Sequence, residues 1–224
     1  MSDNASSHSA SDYDAKIAKT IPYYGLFHEE TLDFVRTAVP EPGVWLDTGC
    51  GTGALANKIL AVFPGVRLVL ADPSQAMLGE ARAKLAGNPT LGFVQAPTQD
   101  LELASDSMDV VTAIQVHHYL DEDLRRKATA NCQRMLRAGG VYVTFENIRR
   151  SAGAGQGAFL EQWKRYQIAG GKSPEQAEAH IRRFGVSYFP ITIEDHLDLL
   201  RQSGFATVEV LWVSRMQAGF CAMK

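Results

Sequence analysis

Between Val44 and Gly53 the chain runs through a short apolar stretch, a carboxylate at Asp47, and then glycine at every second position: Gly49, Gly51 and Gly53. Glycine is needed where a backbone takes positive φ or lets a ligand press against the main chain. A strand that turns into a helix through such a loop is where α/β proteins hold nucleotide-like ligands. The run from Gly49 to Ala54 also satisfies the dinucleotide pattern G-x-G-x-x-G/A, so the glycines alone leave the ligand open. Asp47 discriminates. A pyrophosphate at a helix N-terminus wants amide donors and no carboxylate, whereas a cationic ligand wants the carboxylate. Asp72, 21 residues past Gly51, ends a second apolar run and is placed to accept from both hydroxyls of a ribose. Capping of the next helix, behind Pro73, is its alternative role.

Further candidates follow later strands. Pro97, Thr98 and Gln99 come after the third, with the backbone of Thr98 and Gln99 available to the edge of a purine. Ile114-Gln115-Val116-His117-His118 closes the fourth and enters a loop. Histidine titrates near neutral pH, so His117 or His118 suits a general base; packing beneath the loop is the bland alternative. The side chains of adjacent histidines diverge and no third ligand stands at zinc spacing, so no metal is expected. Glu146, ending a fifth apolar run, is a second candidate to line a substrate cleft.

Alternating strands and helices must position these residues. The pattern predicts a helix over Glu29 to Val39, a first strand ending at Asp47 and a helix from Gly53 to Phe63. Strand Val66 to Asp72 follows, then helix Gln75 to Ala86, strands Leu91 to Ala96 and Met108 to Ile114, helix Asp121 to Arg137, and strand Val141 to Phe145. Continuous apolar runs suit parallel strands buried on both faces. Strict β-α alternation then argues for a doubly wound sheet. Beyond a Gly-rich connector, two helices at about 158–169 and 173–183 and one opening at Thr192-Ile193-Glu194-Asp195 lead to a hairpin, Phe205 to Val213 with Met216 to Met223. Residues 1–11 are expected to form a disordered tail, and 13–27 a lid or helix-turn.

The chain has 224 residues, 46% hydrophobic and 21% charged, with net charge −3. That suits one globular α/β domain and excludes an overtly basic nucleic-acid binder. The segment from Arg149 to Phe189 carries seven Lys/Arg against three acids. Such a bias suits either a solvated helix face or an acidic partner, RNA included. No apolar run spans a bilayer and no secretory leader is apparent. Three cysteines, Cys50, Cys132 and Cys221, without metal-ligand spacing are expected to be reduced thiols. A cytoplasmic enzyme is therefore expected, its homodimerisation left open.

The Asp-x-Gly-x-Gly-x-Gly order, with Asp72 and the His117-His118 run behind it, resembles the class I S-adenosylmethionine (SAM) methyltransferases. The resemblance implies a Rossmann-like, seven-stranded, mostly parallel sheet with a C-terminal antiparallel hairpin. It implies a single domain over 12–224 with a helical lid at about 147–190. SAM would be the cofactor and S-adenosylhomocysteine the product. The implied cofactor residues are Tyr13, Tyr24, Asp47, Gly49, Cys50, Gly51, Gly53, Asp72, Pro73, Pro97, Thr98, Gln99, Ile114 and Gln115. His117, His118 and Glu146 are the catalytic candidates, and a small molecule is the acceptor.

Tyr13-Asp14, Ile21-Pro22-Tyr23-Tyr24, the two-helix insertion, Ser173-Pro174-Glu175, Thr192 to His196 and Gly204-Phe205 resemble the carboxy-SAM synthase branch, which makes a cofactor for tRNA wobble-uridine modification. That layout would put Tyr24 against the cofactor. The arginine with which the branch holds its extra carboxylate falls in register with Phe189, and its motif-I serine is replaced by Thr52 or absent. These departures favour methyl transfer to a small molecule. Carboxy-SAM or tRNA-linked chemistry, a non-catalytic SAM binder and a nicotinamide oxidoreductase are the alternatives.

Overall fold

The computed structural model describes residues 6, 8–150 and 153–224. Its centre is one sheet of seven strands: β1 (Val44–Thr48), β2 (Arg67–Ala71), β3 (Leu91–Val94), β4 (Met108–Ile114), β5 (Leu136–Asn147), β6 (Thr207–Ser214) and β7 (Gln217–Met223). They lie in the order β3-β2-β1-β4-β5-β7-β6. The first five run parallel, while β7 is antiparallel to both β5 and β6. This is the Rossmann-like, mostly parallel sheet with a closing antiparallel pair.

Side chains alternate across each strand, so one sheet serves two cores. Trp45, Val110, Val143 and Phe145 enter one core, with helices α2 (Tyr24–Ala38) and α3 (Ala54–Val62) supplying Phe27, Val35, Leu55 and Ile59. Leu46, Val111, Ala113 and Tyr142 enter the other. There α5 (Glu122–Met135) and α8 (Ile193–Gln202) supply Cys132, Met135 and Leu200. Helix α4 (Gln75–Lys84) links β2 to β3. The remaining helices are α1 (Tyr13–Thr20), ahead of α2, and the insertion pair α6 (Ala154–Ala169) and α7 (Pro174–Ile181). The helix N-termini are capped: Ser74 accepts from the Met77 N–H, Asp121 from Leu124, and Ser173 and Thr192 each complete a reciprocal capping box.

Three expectations need correction. Helix α2 starts at Tyr24, five residues before the predicted Glu29, because Phe27, His28 and Thr31 are buried and extend its apolar face. Helix α5 stops at Met135 rather than Arg137, since Met135 and Leu136 are fully buried and Leu136 already pairs with Met108 as strand. Of the expected tail, residues 1–5 and 7 lie outside the described residues, but Ala10–Asp12 form a 3-10 turn. His8 is buried, with Nε2 2.9 Å from Thr20 Oγ1. Cys50, Cys132 and Cys221 are free and buried. No helix among the described residues is long and apolar enough to cross a membrane.

Candidate active site

Strands β1 and β4 are neighbours whose chains leave in opposite directions, and the crevice at their C-terminal ends is where such sheets bind ligands. The loop after β1 needs all three of its glycines: φ is +62° at Gly49, +53° at Gly51 and +74° at Gly53. A Cβ on Gly49 would lie 2.4 Å from Val116 Cγ2 of the loop after β4. At Gly51 it would meet open space. Gly53 instead abuts Ala81 and Leu85, at the end of α4. The loop is pinned from β2, because Cys50 N–H donates to the Ala71 carbonyl and Gly51 N–H to Asp72 Oδ2 at 2.9 Å. The other Asp72 oxygen accepts from Ser74 N–H at 2.9 Å. Asp72 therefore clamps the glycine loop to the start of α4 while still facing the crevice.

Two cavities meet at this loop, sharing Tyr13, Gly49, Gly51 and Ile114 as walls. The larger, of about 160 Å³, is also lined by Asp72, Pro73, Pro97, Thr98, Gln99 and Gln115. The smaller, of about 20 Å³, reaches Tyr24, Asp47 and Cys50. Gly53, behind the loop, lines neither. Asp47 is 2% exposed and accepts from Thr112 Oγ1 at 2.7 Å. Burial pushes its carboxyl up to about 7, with the Thr112 hydrogen bond opposing and the charge of Asp72 adding. The half-buried Tyr13 and Tyr24 have their phenols hydrogen-bonded to each other, and desolvation raises the pKa of both. Gln99 Oε1 is buried with no hydrogen-bond partner among the described residues. Thr98 Oγ1 bonds Thr48 Oγ1 at 2.7 Å, and its carbonyl accepts from Asn131.

His117, His118 and Glu146 come together, but none of them lines either cavity. All three are at most 3% exposed. Glu146 accepts from the backbone N–H of His117 and of His118, each at 3.0 Å, and from Thr144 Oγ1 at 2.9 Å. Its Oε2 also lies 2.6 Å from His118 Nδ1, while His118 Nε2 meets Asn147 Nδ2 at 3.1 Å. Burial works against the Glu146 charge, yet the His118 hydrogen bond and charge outweigh it and hold the carboxyl at about 2. His117 pairs with the Tyr142 hydroxyl through Nδ1, and burial lowers it to about 4. Of the two roles open to the histidines, general base or packing beneath the loop, the burial favours packing: a buried carboxylate gathers the turn after β4 by its own amides. Arg125 fastens the same turn from below by donating to the carbonyls of His117, Leu120 and Phe189.

Phe189 lines neither cavity. Its N–H donates to the His118 carbonyl, and it borders a separate groove of about 850 Å³ with Arg125, Arg126 and Arg149. Several wall residues escaped the sequence reading. Met77, Val116, Tyr119 and Leu120 line the larger cavity and His28 the smaller. The position of Val116, Tyr119 and Leu120 directly after β4 is the signal that marks them. Also missed is a strap across the loop. Thr52 Oγ1 donates to Asp14 Oδ1 at 2.6 Å, and Lys84 Nζ bonds both Asp14 and Thr52.

A family model described as a methyltransferase domain matches residues 46–142, from β1 into β5. A carboxy-S-adenosyl-L-methionine synthase of Wolinella succinogenes is 27% identical over 208 residues, covering 90% of this chain and 86% of that protein. The part of the chain that builds β1 to β5 is thus similar to methyltransferase domains. A malonyl-[acyl-carrier protein] O-methyltransferase of Methylococcus capsulatus is 30% identical over 119 residues, but the chain covers only 42% of that protein. The fold matches a solved SAM-dependent methyltransferase of Thermotoga maritima with a TM-score of 0.64 at 17% identity, covering 96% and 95% of the two chains.

The crevice around the glycine loop fits SAM. A buried carboxylate, Asp47, stands ready for a cation, an orphaned acceptor, Gln99 Oε1, wants an N–H donor, and open space lies over Gly51. SAM offers an ammonium, an adenine amino group and a ribose to these three features.

Proposed function

We propose that this protein transfers the methyl group of SAM to a small-molecule acceptor. Asp47 would take the ammonium, Asp72 the ribose hydroxyls, and Gln99 with the Thr98 backbone the adenine edge. Tyr13 and Tyr24 would close the methionine end. The observation that carries this reading is Asp47: a buried carboxylate beside three left-handed glycines suits a cation and disfavours a pyrophosphate. The bound cofactor supplies an activated methyl on a sulfonium. The protein's share is alignment: the Glu146-gathered turn sets Val116 and Tyr119 against the cavity, and holding reactants in line supplies much of the rate. His117, His118 and Glu146 are then positioning residues, and the insertion is a lid that excludes water.

The basic bias of that insertion supports a small acceptor over RNA, because much of it is spent internally. Lys164 pairs with Glu161 and Glu178, Arg182 with Glu178, and Arg150 lies over the Phe159 ring. Cytoplasmic residence fits the free cysteines. Native mass spectrometry of the purified protein, followed by calorimetric titration with SAM and with NAD, tests the assignment. Retained or titratable SAM with no NAD binding is expected; NAD binding without SAM would overturn it.

A second reading, carboxy-SAM synthesis, is favoured by one observation: the chain covers 86% of the synthase relative's own length, against 70% of an O-methyltransferase of Geobacter sulfurreducens that is equally 27% identical. Phe189, in register with the carboxylate-holding arginine and away from both cavities, speaks against it. A retained ligand heavier than SAM by one carboxylate would establish it.

A further inference from the structure

Behind the turn after β4, on the side of α5 and α8, lies a cavity of about 10 Å³ that the cofactor does not use. Two imidazole nitrogens end at it without a hydrogen-bond partner among the described residues, Nε2 of His117 and Nε2 of His196. His117 is 3% exposed and His196 4%, so bulk water reaches neither. Both rings are fixed from their other sides. His117 pairs with the Tyr142 hydroxyl through Nδ1 at 3.1 Å. His196 lies in the first turn of α8, behind the Thr192 capping box, and stacks on the Phe220 ring at 4.6 Å. Interior polar atoms without partners are rare and costly, and two around one cavity point to a shared ligand.

The walls select what that ligand is. Arg125 and Glu146, of opposite charge, both border the cavity, so an ion of either sign would meet a like charge. No cluster of three or more side chains able to ligate a metal occurs among the described residues. Burial lowers both histidines to about 4, which leaves the two rings uncharged near neutral pH. A neutral imidazole donates from one nitrogen and accepts at the other, and a molecule able to do both serves either tautomer. Two further wall residues offer lone pairs: Thr129 Oγ1 donates to the Arg125 carbonyl and Thr144 Oγ1 to Glu146, so each hydroxyl can still accept. A polar cavity of this size holds about one water molecule.

We propose that the cavity is a binding site for one water molecule bridging Nε2 of His117 and Nε2 of His196, and that the bridge ties α8 to the turn carrying Val116 and Tyr119. His196 is then a positioning residue, acting on the crevice through the water and His117. Only this second half rests on the reading of the crevice as the SAM site.

A high-resolution crystal structure with anomalous data, together with water-to-imidazole NOEs in solution, tests the site on the wild-type protein. One peak within about 3.2 Å of both nitrogens, without anomalous signal, is expected. A dry cavity, or an anomalous peak from a metal or a chloride, would overturn the proposal. Two variants test the coupling, with folding checked by circular dichroism. His196→Gln keeps a polar end that can meet the water and should retain SAM affinity near the wild-type value. His196→Leu loses the bond; it should weaken SAM about fivefold and move the histidine NMR signals of His117. Equal SAM affinity in the two variants, or unmoved His117 signals in His196→Leu, would remove the coupling. A wild-type protein that does not bind SAM would defeat the cofactor reading instead, while the crystal structure still decides the water site.

Discussion

Asp47 is buried and among the described residues its side chain accepts from Thr112 alone, and that makes its charge conditional. Its folded pKa of about 7 lies above the ordinary 3.8, so it takes stability away as pH rises between those values. Binding an ammonium asks for the ionised form, so SAM affinity should rise with pH, being about tenfold weaker one unit below the pKa than on the plateau above it. Calorimetry at pH 6 and pH 8, in two buffers of different ionisation enthalpy, would detect the released proton. Asp47→Asn should lose SAM binding at least tenfold yet melt no lower than wild type at pH 8. Wild-type affinity in that variant would remove the assignment of the carboxylate.

Glu146 has the opposite sign. With its pKa held near 2, against an ordinary 4.5, it contributes stability above pH 4.5 that is lost as pH falls toward 2. Glu146→Gln would turn an amide N–H toward donors that now meet a carboxylate oxygen. A loss on the order of 3 kcal/mol in urea unfolding at pH 7 is expected, with a flatter acid limb. A variant as stable as wild type but slow in turnover would restore Glu146 as a catalytic base.

At the scale of elements, the loop after β1 offers a controlled comparison. Gly49→Ala and Gly51→Ala both force a Cβ into the left-handed region, at about 1–2 kcal/mol each. Only Gly49 adds a collision, with Val116 at 2.4 Å, so it should be the less stable of the two by chemical denaturation. Gly51→Val faces open space on the cavity side and should abolish SAM binding while the protein stays folded. Similar binding losses in Gly49→Ala and Gly51→Val at similar stability would contradict this division.

The same elements show what a linear pattern conveys. Strand β4 runs over Met108–Ile114 as read, because a mostly apolar, β-branched stretch interrupted only by Asp109 and Thr112 and flanked by polar residues admits little else. The three glycines and Asp47 were legible because their residue types are rare and their backbone demands specific. The partners of Glu146 were not: periodicity says that a carboxylate ends β5, not that the amides of His117 and His118 will surround it. The end of α5 was misread for a related reason. Ala138-Gly139-Gly140 is an adequate stop signal, but burial of Leu136 in the second core acts sooner, and packing overrides propensity.

Over the whole molecule, the insertion and α1 are coupled through the indole of Trp163 and the phenol of Tyr166, while α1 is strapped to the glycine loop through Asp14, Thr52 and Lys84. A motion of the insertion would therefore be passed through α1 to the glycine loop. Trp163→Phe keeps the ring packing and removes the bond to Thr20, at about 1 kcal/mol. It should raise the SAM dissociation rate severalfold in stopped-flow measurements; an unchanged rate would uncouple the two elements.

The strand order carries a consequence for synthesis. Strand β6 precedes β7 in the chain, yet β7 lies between β5 and β6. During translation β6 emerges with no neighbour to pair with, and β5 keeps a bare edge until β7 follows. A chain ending just beyond Ser214 would leave one edge of β5 bare and Val210 and Val213 unattached, a template for intermolecular pairing. The interval between making β6 and making β7 is thus when this fold depends most on dilution or a chaperone.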